Sequence, residues 1–298
     1  MNKPVIPAGA ARRRRKWSIL ALLLLGTTLT TVLMVSAAGN RREPESGTVS
    51  KPVRKTFVIA HRAGAALAPE NTLAALKRSI AVGADMAEVD VQMTKDGVVV
   101  VIHDGNLERT AGLNCSVWAA DYGVVQELDA GGWYSGEYGQ ERVPTLEQMA
   151  EAARGRIHLM IEVKCDCDSG QELMEKTVKL ICAAGMEKEC TIACADLPLL
   201  QRSKELKPGL DTVFIGEAMP LNPGGLTYVD GYSIHLSGLT GEAVVQAKAA
   251  GKKVYAWTVN TEQEMGIALD FGVDGLVTDD PELAIHLIRE EGSERAMG

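Results

Sequence analysis

The sequence predicts an α/β protein, a (β/α)8 TIM barrel with a small insertion, preceded by one N-terminal hydrophobic helix. From residue 56 onward, eight short β-branched runs alternate with helical stretches, as in stacked β/α units with a mostly parallel sheet. The chain of 298 residues is long enough for one barrel, which typically needs about 250 residues. A doubly wound open sheet is the alternative, but no G-x-G-x-x-G fingerprint follows a strand to support it.

The predicted barrel spans residues 56–290, with a short tail over 291–298. Its strands are TFVIAH (56–61), MAEVDVQM (86–93), RIHLMIEV (156–163), TIACA (191–195), TVFIG (212–216), DGYSIH (230–235), KVYAWTV (253–259) and DGLVT (274–278). A further run, VVVVIH (98–103), follows the second strand after only TKDG, a link that is too short for a parallel crossover. It must turn back as a hairpin, and it would then begin an insertion of about residues 104–142.

The first residues differ in composition from this barrel. Residues 1–16 are basic, residues 17–38 are apolar and uncharged, and residues 39–55 combine Gly, Pro and charges as linkers do. The apolar length is near the roughly 20 residues that span a bilayer, which favours an anchor, although small residues at its end offer a signal-peptide cleavage site. Because basic residues precede the segment, the barrel is expected outside the cytoplasm, secreted or anchored to the membrane by residues 17–38.

Charge separates the two parts as well. The net charge is -8, but residues 1–50 hold eight of the 31 Lys/Arg and two of the 39 Asp/Glu, so residues 51–298 carry -14. An acidic body argues against nucleic acid as a partner. A phosphate-bearing substrate would need local positive charge or a metal.

Three carboxylates are expected to converge at the carboxyl ends of barrel strands, where the active sites of such barrels lie. Glu88 and Asp90 lie late in the second strand and share a face because they are two residues apart. Glu162 ends the third parallel strand. Three converging carboxylates are costly unless a positive charge neutralises them, and oxygen ligands select hard cations. The sequence therefore predicts one divalent cation, Mg²⁺ or Ca²⁺, at this place.

Two histidines and two basic residues are expected at the same face. His61 and Arg62 end the first strand, Lys164 follows the third, and the hairpin brings His103 beside the carboxylates of the second strand. Imidazole titrates near neutrality, so one ring can take a nucleophile's proton while the other protonates a leaving alkoxide. The residues leave open which histidine does which.

Other polar residues are weaker candidates. His158 and His286 are predicted to be structural, while His235 ends a later strand and could reach the site. Asp279 and Asp280 could also face it, although capping of the helix that follows explains one of them.

Several motifs occur along the chain in a characteristic order: HRAGAALAPENT, ADMAEVDVQMTKDGVVVVIHD, RTAG, ELDAGGW, VPTLEQ, IEVK, WTVN and GVDGLVTDDP. Over about residues 57–282 the sequence strongly resembles the glycerophosphodiester phosphodiesterases. The resemblance implies a TIM barrel with a small insertion, a bound divalent cation and hydrolysis of glycerophosphodiesters to glycerol 3-phosphate and an alcohol. By position, it places catalytic histidines at His61 and His103, metal ligands at Glu88, Asp90 and Glu162, and substrate contacts at Arg62, Lys164 and Trp257.

The sequence departs from the commonest family patterns at three places. Ala63 stands before Gly64 where HRG is usual, and Ala111 follows Thr110 where a second Thr is common. Neither change removes a group that does chemistry. The third departure is a CDCD run at residues 165–168, which alters the rim and leaves substrate preference open.

Two other functions compete with this one. Related barrels act as lysophospholipase D or sphingomyelinase D, which would make a lysophospholipid the partner, and a membrane anchor would make such a substrate convenient. The PENT run and the insertion after His103 favour the glycerophosphodiesterase branch. A non-catalytic binding barrel is disfavoured because both histidines and all three carboxylates are retained.

The six cysteines all follow the membrane segment, and an even number in an exported part suggests disulfides. Cys182, near a helix end, and Cys190, just before the next strand, are expected to pair at the face opposite the site. A bond between Cys165 and Cys167 would be strained by its tiny loop, and a zinc site is a weak alternative.

Overall fold

A computed structural model describes residues 56–164 and 169–297 of the chain, with side chains as far as residue 290. The predicted basic N-terminus (1–16), membrane segment (17–38), linker (39–55) and CDCD run lie outside the described residues. None of the helices within the described residues has the length and apolar character needed to cross a membrane.

The predicted barrel is confirmed. The strands are β1 (Phe57–Ala60), β2 (Met86–Met93), β3 (Val99–Val101), β4 (His158–Val163), β5 (Cys190–Cys194), β6 (Asp211–Gly216), β7 (Gly231–His235), β8 (Lys253–Trp257) and β9 (Gly275–Thr278). They are ordered β1-β9-β8-β7-β6-β5-β4-β2-β3, and β1 also pairs with β2, which closes a ring of eight parallel strands. As the short TKDG link required, β3 lies outside the ring and pairs with β2 in antiparallel fashion.

Helices cover the outside of the ring, apart from two short helices that belong to the insertion. In chain order, the helices are α1 (Leu73–Val82), α2 (Glu108–Ala111), α3 (Tyr122–Val125), α4 (Leu146–Ala153), α5 (Gly170–Ala184), α6 (Leu197–Leu206), α7 (Gly241–Ala249), α8 (Glu262–Phe271) and α9 (Pro281–Met297). Side-chain caps define where several begin: the Thr72 hydroxyl accepts from Ala75 N at α1, and Asp280 accepts from Leu283 N at α9. The sequence predicted that one of Asp279 and Asp280 caps this helix, and the structure shows that it is Asp280.

Three hydrophobic cores position the site. The main core lies between the sheet and the outer helices. A smaller cluster that includes Ile59, Met160 and Tyr255 fills the barrel interior, so the barrel is a packed support and not a pore. The insertion, which contains α2 and α3, packs its own buried residues, among them Leu107 and Val125, against β3 and the residues beside it.

The predicted disulfide between Cys182 and Cys190 is wrong. Both thiols are free in the structure. Cys190 is buried at the start of β5, and burial raises the pKa of its thiol to about 12, so it packs as a small apolar residue.

Candidate active site

An acidic cluster lies at the carboxyl ends of β2 and β4. The β2–β4 register aligns Asp90 with Glu162, and Glu88 lies two residues earlier on the same face of β2. One carboxylate oxygen from each of the three residues lies within 4.8 Å of the others. The sequence prediction that these side chains converge is therefore confirmed by the geometry.

Charge in the cluster is only partly balanced. The Lys164 ammonium lies 2.8 Å from Asp90 Oδ1 and 2.8 Å from Glu162 Oε1. Burial opposes ionisation of Asp90, but the charges of Lys164 and His103 and the hydrogen bonds from Lys164 and Asn71 together outweigh it and hold the pKa of Asp90 below its usual range. For Glu88, burial and then the Asp90 charge raise the pKa to about 8. Glu162 likewise has a raised pKa, from burial and then from Asp90.

The cluster fits a hard divalent cation. Glu88 is 3% exposed, and its buried Oε1 has no hydrogen-bond partner within the part of the chain that the structure describes, which is costly for a carboxylate oxygen. When all three carboxylates are ionised, a single ammonium leaves an excess of negative charge, and oxygen is the ligand that Mg²⁺ and Ca²⁺ prefer. Glu88, Asp90 and Glu162 are the residues of the described chain that could hold such an ion.

His61 forms the first of two histidine–carboxylate pairs. Because Ala60 of β1 is registered with Thr278 of β9, the residues that follow each strand become neighbours, and His61 Nδ1 lies 2.6 Å from Asp279 Oδ1. Burial lowers the pKa of His61, but the Asp279 hydrogen bond and the charges of Glu88, Asp279 and Asp90 raise it above its usual value.

His103 forms the second pair, with the residue that follows it. Its Nδ1 lies 2.7 Å from Asp104 Oδ1. The Arg109 hydrogen bond is the main cause that lowers the pKa of Asp104 to about 2, so the carboxylate accepts and His103 Nδ1 carries the proton. In both pairs, Nε2 is the ring atom left to exchange a proton with a substrate.

Arg62 joins the cluster through its backbone. Arg62 and Ala63 have left-handed φ angles of 49° and 65°, and this tight turn directs Arg62 N to Glu88 Oε2 at 2.7 Å. The Arg62 side chain donates from NH1 to Glu70 Oε1 at 2.9 Å, while its buried Nε has no partner among the described residues. Arg62 and Lys164 thus lie at the cluster, as the sequence predicted.

Trp257 lies at the end of β8, across the barrel. Its indole N–H donates to Ser233 O, and its ring packs edge to face on His235 with centroids 5.1 Å apart. The indole N–H of Trp257 is therefore already satisfied within the protein. His235 itself bonds Ser237 and has no carboxylate within hydrogen-bonding distance among the described residues.

The remaining histidines are structural, as expected. His158 Nε2 lies 2.8 Å from Thr191 Oγ1, and His286 pairs with Glu290 on the exposed side of α9. The sequence left open whether Asp279 and Asp280 face the site or cap the helix that follows. In the structure, Asp279 bonds His61 and faces the site, and Asp280 caps the helix.

Sequence reasoning missed five residues that support these groups. Asn71 donates to Asp90 Oδ2 at 2.8 Å, and Asn260 donates to Asp279 Oδ2 at 2.6 Å. Asp104, Glu70 and Arg109 complete the arrangement around His103 and Arg62. The signal was present in the PENT, VVVVIHD, RTAG and WTVN motifs, which identify these positions without saying what each side chain contacts.

A closed β/α barrel with two histidine–carboxylate pairs beside a carboxylate cluster at its C-terminal face belongs to the class of barrel enzymes that perform acid–base chemistry. Residues 61–283 match the Glycerophosphoryl diester phosphodiesterase family, and the chain belongs to that family. It is accordingly a phosphoric diester hydrolase.

Individual relatives agree. A glycerophosphodiester phosphodiesterase of Caldanaerobacter subterraneus subsp. tengcongensis is 35% identical over 244 residues, which cover 80% of this chain and 100% of the relative. The glycerophosphodiester phosphodiesterase of Bacillus subtilis is 30% identical over 252 residues, covering 77% and 85%. An Oleispira antarctica phosphodiesterase solved with the product sn-glycerol-3-phosphate is 29% identical, with a TM-score of 0.71, and covers 78% and 96%.

Proposed function

We propose that this enzyme hydrolyses glycerophosphodiesters to glycerol 3-phosphate and an alcohol, with a divalent cation and with His61 and His103 as general acid and base. One observation carries the proposal: two histidine–carboxylate pairs lie within charge–charge range of the same carboxylate cluster. Glu88 and Asp90 raise the pKa of His61, and the His103 charge helps to lower the pKa of Asp90. The product bound to the Oleispira antarctica relative supports the substrate class.

Glu88, Asp90 and Glu162 would hold the cation. When bound, such an ion stabilises negative charge on phosphoryl oxygens as a Lewis acid. Asn71 fixes Asp90 by donating to one of its oxygens, and the left-handed turn at Arg62 fixes Glu88. These contacts orient the ligands before an ion arrives, as supporting hydrogen bonds do in metal sites.

Arg62 and Lys164 supply the protein's own positive charge. A phosphodiester anion repels a nucleophile, so neutralisation of its oxygens lowers the barrier, more strongly as charge builds in the transition state. Arg62 has donors to spare because only NH1 is held by Glu70, and its buried Nε has no partner within the described protein. Lys164 is already held between two carboxylates and would balance the cluster.

The histidines move the protons. Nε2 of one ring takes the proton of the attacking hydroxyl or water, and Nε2 of the other delivers a proton to the departing alkoxide. Asp279 and Asp104 accept from Nδ1 and fix each ring in one tautomer. Without a proton the alkoxide of an ordinary alcohol is a poor leaving group, which is why two titrating groups are needed.

The proposal is tested with the full chain and glycerophosphocholine, by measuring glycerol 3-phosphate with and without EDTA and after Mg²⁺ or Ca²⁺ is restored. We expect activity that EDTA abolishes and one of the ions restores. Glu162→Gln should lose activity, whereas Glu151→Gln, an exposed carboxylate on α4, should retain it. Undiminished activity in EDTA would overturn the metal dependence, and product formed only from a lysophospholipid would overturn the substrate class.

We also propose that residues 17–38 send the enzyme across the membrane, with residues 1–16 on the cytoplasmic side. The proposal rests on the sequence alone, on the apolar length and the basic residues before it. A reporter that is active only outside the cytoplasm, fused after the full chain, should be active in cells. Replacing the basic residues at 12–16 with neutral ones should reduce that activity, and a fully active cytoplasmic reporter would contradict the proposal.

A further inference from the structure

One guanidinium connects the two halves of the site. Arg109, in α2 of the insertion, grips Asp104 with Nε at 2.6 Å and NH2 at 3.0 Å. It grips Glu70 with NH1 at 2.8 Å and NH2 at 2.7 Å. Two carboxylates are thus bound by two forks of a single planar group, a geometry that only arginine provides.

Each carboxylate also holds a residue of the proposed machinery. Asp104 Oδ1 accepts from His103 Nδ1 as well as from Arg109, and Glu70 Oε1 accepts from Arg62 NH1 as well as from Arg109. The contacts form one continuous chain, from His103 through Asp104, Arg109 and Glu70 to Arg62. The insertion is therefore linked to the proton-transferring ring through Asp104 and to the phosphate-contacting guanidinium through Glu70.

Burial and charge make this chain more than a surface ion pair. The Glu70 side chain is 9% exposed, so its two cationic partners are what hold it ionised in this place. Burial opposes that state, but the Arg109 hydrogen bond and the Arg62 charge lower the pKa of Glu70. A buried carboxylate that loses one cationic partner keeps its desolvation cost, so closer contact with another cationic group becomes favourable.

We propose that Arg109 is a positioning residue that sets the orientation of both His103 and Arg62. Through Arg109, the insertion holds the proton-transferring imidazole in a fixed position relative to the phosphate. The proposal rests on the proposed function, since it assigns a role within that same site. Without Arg109, Asp104 is free to turn from His103, and Glu70 is left with Arg62 alone and draws it from the phosphate. Rate and substrate affinity should then both suffer from one substitution.

The chain offers a matched control. Arg202, at the outer helices, also bridges two carboxylates, with Nε and NH2 on Glu175 Oε1 and NH1 on Glu205 Oε2. Arg109→Lys and Arg202→Lys therefore make the same chemical change, keeping the charge and removing the fork. We expect Arg109→Lys to lower kcat by about 10-fold to 100-fold and to raise KM, and Arg202→Lys to change neither.

Two further variants separate the contribution of the Asp104–His103 contact from that of the Glu70–Arg62 contact. Asp104→Asn should act mainly on kcat, and Glu70→Gln mainly on KM, because the first releases His103 and the second releases Arg62. Added guanidinium should restore part of the activity of Arg109→Ala but none of that of His103→Ala. Equal kcat and KM for Arg109→Lys and the parent, or loss of activity only in proportion to a fall in Tm, would overturn the proposal.

An independent readout does not need turnover. Long-range ¹H–¹⁵N spectra of the imidazoles should show His103 with its proton fixed on Nδ1 in the parent and a mixture of tautomers in Arg109→Lys, with His103→Gln identifying the signal. An unchanged His103 spectrum in Arg109→Lys would contradict the role of Arg109 even if the parent proved to act on another substrate. An inactive parent with the predicted spectra would instead count against the proposed function alone.

Discussion

The two histidine–carboxylate pairs have the same local chemistry, but different parts of the fold assemble them. His61 and Asp279 are 218 positions apart and meet because β1 and β9 are registered side by side where the barrel closes. His103 and Asp104 are adjacent in sequence, and the insertion fixes them through Arg109. One pair therefore depends on global closure of the barrel and the other on a local turn and a short helix.

The partners of the two aspartates differ as well. Asp279 receives its second hydrogen bond from the neutral amide of Asn260, whereas Asp104 is held by a guanidinium. A neutral partner leaves the charge of Asp279 to act on His61, and the pKa of His61 is raised although burial lowers it. Two pairs with the same local chemistry thus differ in the residue that holds the aspartate, which is an amide in one pair and a guanidinium in the other.

Removing either imidazole should have the largest effect. His61→Ala and His103→Ala are each expected to lower kcat by about 100-fold to 10,000-fold, the usual contribution of a positioned acid or base. The double variant should be little worse than either single one, because the residues act as a unit. Steady-state kinetics with glycerophosphocholine would show this, and full multiplication of the two losses would contradict a shared reaction.

Replacing the aspartates should separate the pairs by pH. Asp279→Asn removes the hydrogen bond and the charge of Asp279, so that only the charges of Glu88 and Asp90 still oppose burial at His61. The pKa of His61 then falls, and the corresponding limb of the kcat/KM profile moves to lower pH. Asp104→Asn should lower kcat without moving that limb. A shift of the same limb of the pH profile in both variants would contradict the claim that the two aspartates act on different histidines.

Asp279→Asn should also change the stability of the fold. The raised pKa of His61 stabilises the fold below its unfolded value of 6.5, and this contribution disappears as pH rises through the raised folded value. The lowered pKa of Asp279 stabilises the fold above 3.8 and is lost as pH falls through the lower folded value. Asp279→Asn should therefore lower Tm most between these two values. A deficit that grows toward alkaline pH would contradict the pairing.

Asn260 gives a smaller test. Asn260→Ala removes the amide that holds Asp279 Oδ2, and it also removes the oxygen that accepts from Asp279 N. We expect a loss in kcat of about 10-fold with His61 still required, as for other groups that orient a catalytic side chain. An effect as large as that of His61→Ala would show that Asn260 acts directly.

Substitution of His235 should give the smallest effect, because this histidine is not paired with a carboxylate in the described structure. It lies at the end of β7 but bonds the Ser237 hydroxyl in place of a carboxylate. His235→Gln is expected to change kcat by less than about threefold, because no carboxylate among the described residues lies within hydrogen-bonding distance of the His235 ring to fix its tautomer. A loss comparable with that of His103→Ala would mean that a carboxylate partner is not what defines the catalytic histidines.

The fold was predictable because its signals are local. Alternation of β-branched runs and helical stretches located all eight barrel strands, and the length of the TKDG link alone required β3 to turn back. The carboxylate cluster was predictable for the same reason: spacing by two placed Glu88 and Asp90 on one face, and Glu162 ended the next parallel strand.

The supporting contacts were not predictable, because they depend on register and on long-range closure. The bond from Asp279 to His61 requires β9 to meet β1 residue by residue, and nothing in either segment specifies that register. Glu70 and Arg109 lie 39 positions apart, in a loop and an insertion whose conformations no periodicity describes. The pairing of Cys182 and Cys190 was wrong because an even count and a common face do not say which thiols are buried.

The most direct test of the central claim, that one histidine is the acid and the other the base, uses two substrates with different leaving groups. Rates of the parent, His61→Ala and His103→Ala are compared with glycerophosphocholine and with a glycerophospho-p-nitrophenol ester, whose phenolate leaves without a proton. The second substrate is expected to restore activity to one variant only, the one that lacks the acid. Restoration of both variants, or of neither, would contradict it.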